Sequence, residues 1–237
     1  MSEWKAKRFW KSVETRAEAD GYGVFLDGRP VRTPAKVPLI LPTEGFAEAV
    51  RAEWEAVDEV IDPGQMPFTR TANAAIDKVA VQKDEVADMI AEYGGTDLLC
   101  YRAEAPEALR ARQDAGWDPL LDWARQTYGA RLAVTSGVMH LAQAPEALVP
   151  LRAAVHACNP FQLAALHDLV SLSGSLVIGL AVANGQSSPE ALWALSRIDE
   201  TWQEEQWGED EEAQNQAALK RAAFLHAAEV WRLSGMH

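Results

Sequence analysis

Near its start the chain alternates with a period of two. Phe9, Lys11 and Val13 fall on one side and Trp10, Ser12 and Glu14 on the other, which predicts a strand. The run Gly21–Leu26 predicts a second strand. Asp27-Gly28 follows it, and then Arg29-Pro30-Val31; Asp-Gly between two such runs is a hairpin signal. Val37–Leu41 predicts one more strand, placed at a sheet edge by Pro38, which has no N–H to give a ladder. From Thr43 the period changes. Phe46, Ala49, Val50, Trp54 and Val57 recur at helical spacing, so a helix should cover the sheet with this face. Asp62-Pro63-Gly64 closes the segment as a turn.

After Thr71 the pattern is helical almost to the end. Ile76, Val79, Ala80, Val86, Met89, Ile90 and Tyr93 keep a period near 3.6 until Gly94-Gly95 breaks it. Further helices are expected at about 106–128, 145–157, 160–184, 188–207 and 210–234, with an irregular or briefly extended stretch at 131–139. Pro145, Pro160 and Pro189 stand near helix starts, where a missing N–H costs nothing. The fold class that follows is α+β. A small β-rich amino-terminal domain with a covering helix, residues 1–85, precedes an all-helical carboxy-terminal domain, residues 86–237.

Composition narrows the function. A chain of 237 residues with 48% hydrophobic and 24% charged residues can bury a core without staples. Its formal net charge of −13 argues against nucleic acid or an anionic membrane as partner and suits either plain solvation of the surface or a partner with a basic face. Cys100 and Cys158 are far apart and form no C-x-x-C, so neither a disulfide framework nor a cysteine zinc site is expected. The first eleven residues lack an apolar signal core. The most apolar stretch, 169–183, is too short to span a bilayer, so no membrane insertion is expected.

Candidate chemistry is sparse. The five histidines make no H-E-x-x-H, and no Walker loop or G-x-G-x-x-G is present, so no metal and no cofactor are expected. Ser171-Leu-Ser-Gly-Ser175 lacks the nucleophile-elbow pattern and reads instead as small side chains that let two helices approach. The informative segment is Arg197–Ala213, strongly acidic yet holding two tryptophans. On a helix Leu195, Ile198 and Trp202 form an apolar stripe that runs on into Glu205 and Glu209, and a core stripe ending in carboxylates needs an explanation. A second row, Asp199, Gln203 and Trp207, sets a carboxylate, an amide and an indole on one face. That mixture suits recognition of a polar protein surface. The competing reading packs this helix on its own domain with Asp199 paired to an internal Arg. Gly208 should end the helix, and Glu209–Glu212 should favour the start of the next through its dipole. Trp54, Trp117 and Trp123 lie on apolar helical stripes and read as core.

The order of local motifs resembles the assembly chaperones of the α subunit of F-type ATP synthase, the Atp-twelve family, in its bacterial form. The likeness runs through Lys7-Arg-Phe-Trp10, Leu26–Pro34, Ala52-Glu-Trp54, Met66–Arg70 with Ala74–Asp77, Thr96–Arg102, Gln113–Trp123, Leu172–Leu176 and Arg197–Ala213. The resemblance implies a two-domain protein, β-rich first and helical second. It implies binding to the free α subunit before that subunit meets β, with no catalysis and no nucleotide. It gives Asp199, after the Arg197-Ile198 pair, the place of a functionally important acid. Gln203, Trp207 and Gly208 match the Gln and Trp-Gly that follow in the family, and Trp54 matches its Glu-Trp. Val57 stands where relatives often carry Gln. Partner-binding residues expected on this basis are Asp199, Gln203, Glu205, Trp207, Glu209 and Trp54. A chain that starts its first family block at Lys7 is expected in the bacterial cytoplasm, its relatives in the mitochondrial matrix, and it is expected to be monomeric when free. The alternatives are an adaptor or scaffold for another client, or an enzyme built on the carboxy-terminal carboxylates.

Overall fold

The structure, a computed structural model, describes residues 7–208 and 210–235. The chain forms two compact units, one of residues 1–83, 159–165 and 229–237, the other of 84–158 and 166–228.

The first unit holds a small antiparallel sheet. Strand β2 (Gly21–Leu26) is central, paired with β1 (Val13–Glu18) on one side and with β3 (Arg29–Pro30) and β4 (Ile40–Leu41) on the other. Asp27 (φ 48°) and Gly28 (φ 77°) make the hairpin turn, the left-handed pair that this dipeptide tolerates. The alternation that predicted a strand over Phe9–Glu14 is a correction, for the strand begins only at Val13. The Lys11 and Ser12 amides donate to the Asp27 carboxylate at 2.9–3.1 Å, which spends them on a turn rather than a ladder, and Phe9 is exposed. Those amides hold the Asp27 carboxyl below its ordinary range. Strand β1 itself, Val-Glu-Thr-Arg-Ala-Glu, is largely exposed, so hydrophobic alternation could not reveal it.

Helix α1 (Glu44–Ala56) starts where the sequence places it. The Thr43 hydroxyl accepts the Phe46 amide at 3.2 Å and donates to the Leu233 carbonyl at 2.5 Å. Phe46, Ala47 and Val50 are buried, and Phe46 meets Phe161 edge-on with ring centres 5.7 Å apart. The Glu53 carboxylate receives the Phe68 and Thr69 amides at 2.6 and 2.8 Å, capping α2 (Pro67–Ala74).

The second unit is helical. It holds α3 (Lys83–Glu92, all but its first residue), α4 (Glu107–Tyr128), α5 (Pro145–His156) and most of α6 (Pro160–Ser173). Then come α7 (Leu176–Ala183), α8 (Pro189–Ser196), α9 (Ile198–Trp207) and most of α10 (Glu211–Leu233). Two-residue strands β5 (Tyr101–Arg102) and β6 (Thr135–Ser136) pair in parallel and fasten the irregular 131–139 stretch.

Three expected helical runs are broken. The run 71–93 divides well before Gly94, because α2 widens into a π turn over Ala75–Val79 and α3 starts afresh at Lys83. The run 160–184 divides at Gly174 (φ 72°), after which the Ser175 hydroxyl accepts the Ile178 amide at 3.0 Å and begins α7. Ser173 bonds back to the Leu169 carbonyl at 2.7 Å. The small residues at 171–175 therefore turn and cap the chain. The close helix approach occurs instead at Gly179, where an added Cβ would lie 2.6 Å from Val170. The run 188–207 breaks at Arg197 (φ −112°, ψ 15°).

Within this unit Asp97 ties a turn to a helix. Fully buried, it accepts the Leu99 and Val177 amides, each at 3.0 Å, and so caps the 98–100 turn and α7 together. Burial pushes its carboxyl up to about 6, although the Val177, Ser175, Leu99 and Leu176 donors pull the other way.

Candidate functional site

Helix α9 begins at the Arg197 bend with Asp199 and Glu200 in its first turn, where the helix dipole favours acids. Its apolar stripe faces α4. Gly116 of α4 makes room, since a Cβ there would stand 2.9 Å from Ile198 and 3.0 Å from Leu195. The buried Trp117 indole donates to the Leu195 carbonyl at 2.8 Å, tying α4 to the end of α8. Ile198 is buried and Trp202 half-buried, with the Arg112 guanidinium 5.0 Å from the Trp202 ring centre. The same guanidinium grips both oxygens of Glu205 at 2.9 Å. The stripe thus ends in an exposed, two-point ion pair rather than a buried charge, and Arg112 holds the Glu205 carboxyl below its ordinary range.

The neighbouring row meets α4 differently. Gln113 is 2% exposed. Its side-chain oxygen accepts the Ala103 amide at 2.8 Å, so its NH2 must point the other way, where it donates to Asp199 Oδ1 at 2.6 Å. Asp199 therefore has an internal partner, an amide in place of the expected Arg. Asp199 and Gln203 line an open groove of about 490 Å³ whose other walls are Tyr101–Ala105, Leu109, Gln113, Gly137 and Val138. Val138 is 95% exposed and Met139 beside it 78%. Under the groove Arg102 is fully buried. It is bound to Asp114 at 2.8 Å, to Asp118 at 2.7 Å and to the Leu99 carbonyl, with Trp117 against its guanidinium. Its charge is fully engaged within the protein.

The structure thus gathers Asp199, Gln203, Glu205 and Trp207 on one helix. The first two reach the groove, Glu205 pairs with Arg112, and Trp207 is 80% exposed at the helix end before Gly208 (φ 92°). Glu209 lies outside the described residues. Trp54 belongs to α1 in the first unit, half-buried and edge-on to Trp10 at 5.3 Å. Trp117 is core, whereas Trp123 is only half-buried, against Tyr128.

Sequence reasoning passed over Gln113, Arg112, Gly116 and Arg102 as site residues. A signal for Gln113 was present, for Leu109, Gln113, Trp117, Leu120 and Ala124 share one helical face and Gln is its polar intruder. Among the described residues no cluster of His, Cys, Asp and Glu could hold a metal, and no helix is long and apolar enough to cross a membrane.

Comparison with known proteins bears on what this site serves. The model of the ATP12 chaperone protein family matches residues 7–125. The mitochondrial protein atp12 of Schizosaccharomyces pombe is 25% identical over 209 residues, 83% of this chain and 72% of that protein. The crystal structure of Atp12 from Paracoccus denitrificans superposes with a TM-score of 0.95 at 55% identity, covering 98% of this chain and all of that one. A mutant of the Paracoccus protein, with one aspartate exchanged for lysine, gives a TM-score of 0.96 at the same identity and covers 99% of this chain. Atu1473 from Agrobacterium tumefaciens gives 0.90 at 44% identity, covering 96% of this chain and 85% of that one. By its sequence and by a fold shared almost end to end, the chain belongs to the ATP12 chaperone family.

Proposed function

We propose that this chaperone holds the unassembled α subunit of the F-type ATP synthase catalytic head, keeps it from aggregating and passes it to β. Membership of the family supports the reading. The observation that carries it to a place on the molecule is Asp199, fixed by the buried Gln113 at the wall of an open groove. A free α subunit exposes surface meant for β, and such apolar surface aggregates. A reversible cover lowers the concentration of the sticky form by mass action. Contacts that β must displace should be moderate and partly polar, and the α9 face offers Asp199, Gln203, Glu205 and the exposed Trp207. Glu209 and Trp54 complete the proposed contact set.

The role is one of binding and not of catalysis. Asp97, whose carboxyl is raised to about 6, is fully buried on backbone amides and lines neither this groove nor the one beside Asp122 and Arg125. The protein works in the bacterial cytoplasm and is monomeric when free.

The test is co-purification with free α subunit, together with suppression of its aggregation, for the wild type and for Asp199→Lys. The wild type should bind and suppress, while the variant folds but fails. A wild type that leaves α unbound and aggregating would sink the reading.

A further inference from the structure

We propose that the groove beside Asp199 takes an extended segment of the client carrying an arginine or lysine, whose cation sits on Asp199 while an adjoining apolar side chain rests on Leu109 and Val138. The inference rests on the chaperone reading and names the chemistry of the segment bound. Its ground is charge complementarity. The groove has two acids in its lining, Asp199 from α9 and Glu104 from the loop after β5. Its basic residue, Arg102, is fully buried and already bound by Asp114 and Asp118, so it offers an incoming anion nothing. Asp199 Oδ1 is held by Gln113, whose orientation the Ala103 amide dictates, so the carboxylate is aimed without help from a ligand. Leu109, Ala105 and Val138 give the groove its apolar part. An exposed valine beside an exposed methionine, on a stretch fastened by β5 and β6, is the kind of apolar rim that a docked segment covers. An arginine suits such a site better than a free cation, because its stem packs on apolar walls while its planar head reaches carboxylates.

Gln113 is then a positioning residue. Exchanging it for Glu would set two carboxylates at hydrogen-bond distance, an arrangement that like charges oppose. Exchanging it for Leu would keep the volume and lose the aim.

The experiment uses the full chain and a blocked probe peptide, acetyl-Leu-Arg-Leu-amide, with its citrulline twin, which has the same shape and no charge. Titrations are followed in proton–nitrogen correlation spectra. The arginine peptide should shift the Gln113 side-chain amide and the backbone amides of Ala103, Gly137 and Val138. The citrulline peptide should bind at least tenfold more weakly, and Asp199→Asn should lose about as much for the arginine peptide alone. Gln113→Leu should lower affinity for arginine while leaving the citrulline value unchanged. Equal affinity for the two peptides, or shifts confined to residues away from the groove, would overturn the proposal. The α-subunit experiment reads separately. A protein that binds α but discriminates against neither peptide removes the groove and keeps the chaperone. One that selects the arginine peptide and ignores α keeps the groove and removes the client.

Discussion

At the scale of single residues, the sequence pointed to Asp199 by its company and the structure explained its position by a residue the sequence did not single out. Asp199, Gln203 and Trp207 could be placed on one helix face because helical spacing is a property of the local chain. That Asp199 rests on Gln113, 86 positions earlier, is a long-range fact with no local signature. Gln113→Leu should destabilise the fold by about 1–3 kcal/mol, since it strands the Ala103 amide and takes the Asp199 partner away. Denaturant unfolding measures this, and a change too small to detect would mean that the Gln113 bonds are replaced by water. Asp97 makes a pH prediction of definite sign. Its folded value, about 6, lies above the ordinary 3.8, so the folded chain holds this proton more tightly than the unfolded chain. The ionised form therefore costs the fold about 3 kcal/mol at neutral pH, and that cost fades as pH falls from about 6 towards 4. Carbon NMR of the Asp97 carboxyl should titrate near 6; a midpoint under about 4, the ordinary range, would show that its amide donors outweigh burial.

At the scale of elements, helices whose ends carry their own caps were read closely. Thr43 begins α1, Gly208 follows α9, and Asp210 caps α10 by accepting the Ala213 amide at 2.8 Å. One misreading falls where a break is made by one residue inside a continuous apolar pattern. Leu169–Ala183 is buried on nearly all sides, so its periodicity is silent about the turn at Gly174. Gly174→Ala should cost about 1–2 kcal/mol, because a Cβ is disfavoured at φ 72°. Thr43→Ala should cost about as much, from the lost cap and the lost bond to Leu233. Thermal unfolding checks both, and Thr43→Ser should restore most of the loss at that position. Gly116→Val tests the α4–α9 contact. With Ile198 2.9 Å from the Cβ position, the helix must move outward, and the Gln113–Asp199 bond should weaken even in a folded protein. An unchanged Gln113 side-chain resonance in that variant would contradict this contact.

At the scale of the whole molecule, the formal charge of −13 gathers partly at one end of the sequence, where Glu200, Glu204, Glu205, Asp210, Glu211 and Glu212 follow one another closely. Helix α10 is exposed from Glu211 to Ala223 except at Ala217. Acids so placed speed the encounter with a basic partner more than they tighten its complex. Raising the ionic strength from about 0.05 to 0.5 M should slow association with α at least tenfold while changing dissociation little, because screening acts over the Debye length. Stopped-flow association at several salt concentrations decides this, and a flat dependence would remove the electrostatic part. Taken alone, the sequence determined the α+β class, the order of strands and helices, the hairpin at Asp27-Gly28, most helix ends and the acidic character of α9, because each follows from local periodicity, capping or charge. Only the tertiary structure decided that strand β1 is an exposed one, that the apolar stripe of α9 closes on Arg112, that Asp199 leans on Gln113, and that Val138 lines the same groove as both. These are meetings of residues far apart in the chain, selected by packing and by the need to satisfy each buried donor, and neither condition is written at any single position.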